Sequence, residues 1–311
     1  VAALAGLSIF GCRPADRDTL VTVRTIPVPE AFTSLHVDGA GFFWLGGGGE
    51  ILKLDPDGRE LARLRVPEAS NAELADFHAD RLYFRTPSSI LLVDARESRL
   101  LVENADLGAG HFLADVRGRF VLRTAGEGAV IAHDPLTLEP VWGWGAVGAR
   151  ATALALSPEG DRIYLALGAR AEGGPELLVR DVQTGRVLRR RVLRDSASVV
   201  IAGGPSMVFA FESDARGGGQ LEALQWRAGE LEPVWSRSQG ELRIDGSARM
   251  RLSRDGRRLA VLGLQKEEGL HLLEVEAGRY TGRLRGNARD VAFGPAGEVY
   301  LLYSGELRRV E

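Results

Sequence analysis

The sequence predicts an all-β fold, a seven-bladed β-propeller closed by an N-terminal strand, and three observations carry that prediction. A hairpin unit recurs seven times, a second pair of strands follows six of those copies, and equivalent anchors recur at intervals of 39 to 49 residues. Four strands in forty-odd residues is the size of one propeller blade.

The hairpin unit is a short apolar run, a turn with Gly or Asp, and a second run rich in aliphatic and aromatic residues. It reads LHVDGAGFFWL at 35–45, FHADRLYF at 77–84, ADVRGRFVL at 114–122 and LSPEGDRIYLAL at 156–167. Further copies are IAGGPSMVFAF at 201–211, LSRDGRRLAVL at 252–262 and FGPAGEVYLLY at 293–303. Polar turn residues tolerate the backbone angles that chain reversal needs, so each copy is a β-hairpin. The second unit reads LDPDGRELARL at 54–64, VDARESRLLVE at 93–103, HDPLTLEPVWG at 133–143, RDVQTGRVLRR at 180–190, QWRAGELEPVW at 225–235 and EVEAGRYTGRL at 274–284. Its equivalent anchors are Asp55, Asp94, Asp134, Asp181, Trp226 and Val275.

After FGPAGEVYLLY only SGELRRVE remains, enough for a third strand and no fourth. An open sheet edge there would leave backbone groups unpaired. TLVTVRTI at 19–26 alternates like a strand and has no hairpin partner of its own, so it is expected to supply the outer strand of blade seven.

ALSPEGDRIYLAL followed by VRDVQTGRVLRR resembles the YVTN-type, WD40-like propeller repeat. FTSLHVDGAGFFWLGGGGEILKLDPDGRELARL resembles an NHL-type blade. The resemblance extends over residues 31–311 as repeat grammar and implies architecture; the same ring carries enzymes, scaffolds and ligand-binding modules. The Gly-His and Trp-Asp signature of true WD40 blades is absent.

Ahead of the ring stands VAALAGLSIFGC at 1–12, joined by the polar linker RPADRD at 13–18 to the propeller at 19–311. The apolar stretch, with Leu4, Leu7, Ile9 and Phe10, is surplus to the repeat. Twelve helical residues reach about 18 Å against roughly 30 Å of bilayer hydrocarbon, too short to cross alone. The stretch is similar to an export signal running into a lipoprotein-type cleavage site, with Ile9 three residues before Cys12 and Gly11 directly before it. Two outcomes stay open, a lipidated Cys12 or an uncleaved anchor, and both place the ring beside a membrane on the periplasmic or extracytoplasmic side.

The chain of 311 residues carries a formal charge of −3, which argues against nucleic acid as the main partner. Its single cysteine rules out an internal disulfide or a multi-cysteine metal site. It also lacks the cysteine pair of quinone-dependent propeller dehydrogenases. GWGAVG at 143–148 matches a dinucleotide fingerprint, but the residues after it lead into another hairpin and not a helix, so the glycines read as the bend between blades three and four. The five histidines, His36, His78, His111, His133 and His271, read as falling in different blades without metal-ligand spacing. DPDG at 55–58 reads as a turn and not as a calcium loop. No nucleophile elbow is present. The expected cofactor complement is none, and no metal is expected.

Two surface features stand out. RVLRRRVLR at 186–194 lies on the expected outer strand of blade four. There its charge blocks sheet-to-sheet aggregation, or Arg186, Arg189, Arg190, Arg191 and Arg194 contact an acidic protein surface or anionic lipid headgroups. Long polar loops at 168–175, 212–219, 238–248 and 264–269 elaborate one sector of one face. The leading expectation is a non-catalytic, membrane-tethered propeller acting as scaffold or accessory subunit of a membrane protein complex, whose subunits are its partners. The alternative is an enzyme or small-ligand binder using the central channel, such as a metal-dependent lactonase or a sugar-binding propeller.

Overall fold

The computed structural model describes residues 19–66, 73–78, 80–107, 110–115, 117–157, 159–168, 174–193, 198–203, 207–213, 219–238, 242, 248–264 and 268–311. These form seven antiparallel four-stranded sheets, one per blade of a β-propeller. The inner strands are Phe32–Val37, Glu73–His78, Phe112–Ala114, Ala151–Leu156, Ser198–Gly203, Ala248–Leu252 and Asp290–Phe293, for blades one to seven. In the first six blades three further strands follow in chain order, ending on an exposed outer strand.

Blade four shows why these segments are strands. Its second and third strands, RIYLAL and ELLVRD, are buried along nearly their whole length because each face meets a neighbouring blade. A strand covered on both sides needs continuous apolar sequence, not alternation. The outer strand VLRRRV faces solvent and tolerates arginines.

Seven hydrophobic clusters hold the ring, and each is shared by two adjacent blades. Ile26, Phe32, Phe43, Leu302 and Leu307 pack blade seven against blade one. Trp44, Ile51, Leu82, Phe84 and Leu91 pack one against two. The remaining five clusters repeat the arrangement around the ring. Each fully buried large side chain contributes about 1.5–3 kcal/mol, so stability is distributed over the interfaces between blades.

Closure follows the sequence expectation. Thr22–Pro27 pairs antiparallel with Glu306–Val310 as the outer strand of blade seven, with Ile26 opposite Leu307. The segment before it also reaches blade six, where Leu20 N–H donates to the Arg283 carbonyl at 2.9 Å.

The turns between third and fourth strands share one device. Asp94, Asp134 and Asp181 each accept backbone N–H groups from two or three residues downstream through one carboxylate oxygen. Five residues complete the loop, with a positive φ at Ser98, Leu138 and Gly185. The matching position in blade six begins at Glu274, whose carbonyl accepts Gly278 N–H, and not at Val275 as the repeat spacing suggests. Blade five departs further. Its strands run on through Trp226 to a two-residue loop, Ala228-Gly229, with φ of 48° and 88°. DPDG at 55–58 is a turn, with Asp55 accepting from Asp57 and Arg59 N–H.

Candidate functional site

Inner strands point toward the axis of the ring, and residues two apart on a strand share a face. In blade six that rule brings Arg249 and Arg251 of ARMRL to the channel together. Arg249 ion-pairs across the ring with Glu73 of blade two, and its other nitrogen lies 3.0 Å from Asp290 of blade seven. Glu73 also takes Arg85 at 3.0 Å, and Arg85 donates onward to the Gly110 carbonyl of blade three at 3.0 Å. Burial pushes the Glu73 carboxyl up, but Arg249 and Arg85 outweigh it and hold the carboxyl below its ordinary range.

A second set of bonds ties the inner strands of blades seven, one, two and three in succession. Fully buried Asp290 accepts Leu35 N–H of blade one at 2.9 Å as well as its neighbour Val291 N–H. Ser34 of blade one accepts Leu74 N–H of blade two at 3.0 Å. Asp76 of blade two accepts Ala114 N–H of blade three at 2.6 Å. Ser34, Asp76 and Asp290 are thus hydrogen-bonded clamps between blades, the condition under which buried polar groups are tolerated.

The cross-channel pair lies between two openings. One, of about 240 Å³, is lined by Glu73, Arg85, His111, Thr152 and Arg249, where the inner strands begin. The other, of about 550 Å³, opens where they end, between blades six, seven, one and two. Its wall includes His36, Asp38, Asp76, Phe77, Arg251 and Arg254. His36 stacks on half-exposed Phe77 with ring centroids 4.0 Å apart. Burial, and then the charge of Arg251, push the His36 imidazole down to about 3, so it is neutral in the folded protein near pH 7. Burial pushes the Asp76 carboxyl up to about 6, against the amides of Ala114 and Phe77 and the charge of Arg251.

This larger mouth lies on the face of the first-to-second strand turns, and the sequence expectation of an elaborated face concerned the loops at 168–175, 212–219, 238–248 and 264–269. Most residues of those loops lie outside the described residues. So do Leu4, Leu7, Ile9, Phe10, Cys12 and Arg194. Arg186 is exposed just before the outer strand of blade four. On that strand Arg189 pairs with Glu230 at 2.5 Å, Arg190 with Glu176 at 3.0 Å and Arg191 with Glu222 at 2.6 Å. Two of the three therefore bridge blade four to blade five.

GWGAVG enters no helix. Its first residues end the outer strand Pro140–Trp144, where Trp142 and Trp144 lie 4.7 Å apart, and the rest form the bend into blade four. The histidines do not all fall in different blades, because His111 and His133 both belong to blade three; His111 flanks its inner strand and His133 ends its third. Among the described residues, no group of three His, Cys, Asp or Glu could hold a metal ion. Among them, no helix is long and apolar enough to cross a membrane.

Sequence reasoning missed Glu73, Arg85, Arg249, Arg251, Asp76 and Asp290 as channel residues. A signal was present. ELAD, RMR and RDV place charges just ahead of the hairpin units that begin at 77, 252 and 293, where the inner strands run and an apolar or neutral residue is the ordinary choice.

No family model matches the chain, and no curated protein matches it. Solved structures do. The β-propeller domain of Myceliophteria thermophila Cps50 (Swd1) superposes with a TM-score of 0.72 at 12% identity, covering 93% of this chain and 98% of that one. Kuenenia stuttgartiensis hydrazine synthase superposes with a TM-score of 0.69 at 12% identity, covering 90% and 94%. At that identity the likeness shows the fold alone, and with the seven sheets above it makes this chain a seven-bladed β-propeller.

Proposed function

We propose that this chain is a non-catalytic, membrane-tethered propeller on the extracytoplasmic side, serving as a scaffold or accessory subunit of a membrane protein complex. One observation carries the non-catalytic part. Glu73, Asp76 and Asp290, the acidic groups best placed for chemistry in the channel, already join one blade to another. A general acid or base needs a proton-accepting oxygen within reach of substrate. Here those oxygens hold the ring together instead.

The tether rests on the apolar residues before Cys12 and on their likeness to a lipoprotein-type signal. The YVTN-type grammar of ALSPEGDRIYLAL and the NHL-type grammar of blade one support a place among rings of that repeat class. A rigid ring with distributed cores suits a scaffold, since loops can vary without loss of the interfaces between blades.

Purification from native membranes in mild detergent tests the reading. A stoichiometric membrane-protein partner is expected, together with an intact mass showing an acylated chain starting at Cys12 or an uncleaved anchor. A partner-free monomer in the soluble fraction would overturn it.

A further inference from the structure

We propose that the larger channel mouth, between blades six, seven, one and two, binds a small anion carrying a flat apolar group, with Arg251 and Arg254 receiving the acid and Phe77 and Phe293 flanking the ring. All four side chains line one cavity of about 550 Å³. That volume falls within the range of small-molecule sites.

The assignment rests on which wall groups have bonding capacity left. Asp38 is taken up within its own turn: one oxygen accepts Ala40 and Phe42 N–H at 2.9 and 3.0 Å, and the other accepts Trp44 Nε1–H at 3.1 Å. Asp80 pairs with Arg96 at 3.1 Å. Each oxygen of Asp76 holds a backbone amide, from Phe77 at 2.8 Å and from Ala114 at 2.6 Å. The acids on this wall are therefore each supplied with donors.

The guanidiniums are not matched in the same way. Arg251 approaches a carboxylate only at 3.9 Å, and that carboxylate, Asp290, is already held by Arg249 and two amides. Among the described residues its side chain donates one hydrogen bond, to the carbonyl of the preceding residue at 3.4 Å. Arg254 is exposed and makes no ion pair or hydrogen bond to a described residue. A guanidinium has five donors in a fork that fits a carboxylate or phosphate through two parallel bonds.

The tip of Arg254 lies against the facing turn of blade one. A Cβ at Gly39 would lie 3.1 Å from Arg254 Nη1, which places that guanidinium beside the blade-one side of the mouth. Phe77 stays half exposed at the mouth, although a ring of that size usually gains by burial. A flat ligand group laid on it would cover that surface. Neutral His36 behind Phe77 adds no competing charge.

Calorimetric titration with benzoate, phenyl phosphate and benzamidine tests the site on the purified chain. Benzoate or phenyl phosphate should bind, and which of them binds more tightly identifies the acid as carboxylate or phosphate. Arg254→Gln, at a position without an ion pair to any described residue, should weaken that binding at least about tenfold, as loss of a charge-assisted hydrogen bond does. Phe77→Ala should weaken it while leaving inorganic phosphate binding unchanged. Binding of benzamidine in preference to both anions, absence of binding by either anion, or unchanged affinity in Arg254→Gln would each overturn the proposal. A ring can hold such a ligand with or without a protein partner, so loss of co-purification and loss of benzoate binding are separate outcomes.

Discussion

His36 is held neutral between Phe77 and Arg251, and that single residue should leave a mark on the stability of the whole chain. Its folded pKa of about 3 lies below the ordinary 6.5, so the unfolded chain takes up a proton first. Stability is therefore intact above about pH 6.5 and is lost as pH falls toward 3, by about 1.4 kcal/mol per unit of pKa shift. In His36→Phe this loss should vanish. Urea midpoints measured between pH 7 and 4 should fall more steeply for the wild type than for the variant, and parallel curves would contradict the assignment. Asp76 acts with the opposite sign. Its carboxyl is raised to about 6 from an ordinary 3.8, so its contribution falls as pH rises through that window. A second residue carries a backbone cost. Ala228 holds φ at 48° in a two-residue hairpin loop that favours Asn-Gly, so Ala228→Asn should raise stability by about 0.5–1 kcal/mol in a denaturant titration. The tendency of this loop to turn was legible in RAGE. Its strain was not, because repeat spacing aligned the blade-five turn with the capped turns elsewhere.

Elements meet through the turns between third and fourth strands, which tuck under the outer strand of the preceding blade. A Cβ at Gly185 would lie 2.2 Å from the Trp144 ring, and one at Gly278 would lie 2.5 Å from Trp235. Gly58 meets Ile26 in the same way, across the closing strand. Trp235 adds a hydrogen bond from its indole N–H to the Val275 carbonyl at 2.8 Å. Gly185→Ala combines a left-handed φ with overlap on an aromatic ring, and should cost about 2–4 kcal/mol by thermal or urea unfolding. A neutral effect would mean that blades three and four do not meet as described. The turns themselves were readable, since Asp and Gly at fixed offsets state the local geometry. The tryptophans beneath them were not readable, because their partners lie in the next blade and no local rule names them.

Across the whole molecule, the number of blades and the closing strand were legible because a propeller is built from local hairpins repeated in register. The channel clamps were hidden for the opposite reason. Leu35 bonds Asp290 across 255 positions of sequence, and Glu73 meets Arg249 across 176. Such contacts exist only once the ring has closed. Removing residues 1–27 should leave blade seven with an open edge and expose the cluster around Phe32 and Leu307. Size-exclusion chromatography of that truncated chain should show oligomers or aggregates; a stable monomer would contradict closure by this strand. The proposed scaffold role stands on a ring whose channel acids Glu73, Asp76 and Asp290 hold blades together. Only Lys53 and Lys266 are available to lysine reagents, and Lys53 is buried, so carboxylate-reactive cross-linking in native membranes suits this chain. The account predicts recurrent cross-links between this ring and one membrane protein, identified by mass spectrometry; a chain found only in the soluble fraction, with links only to itself, would contradict it.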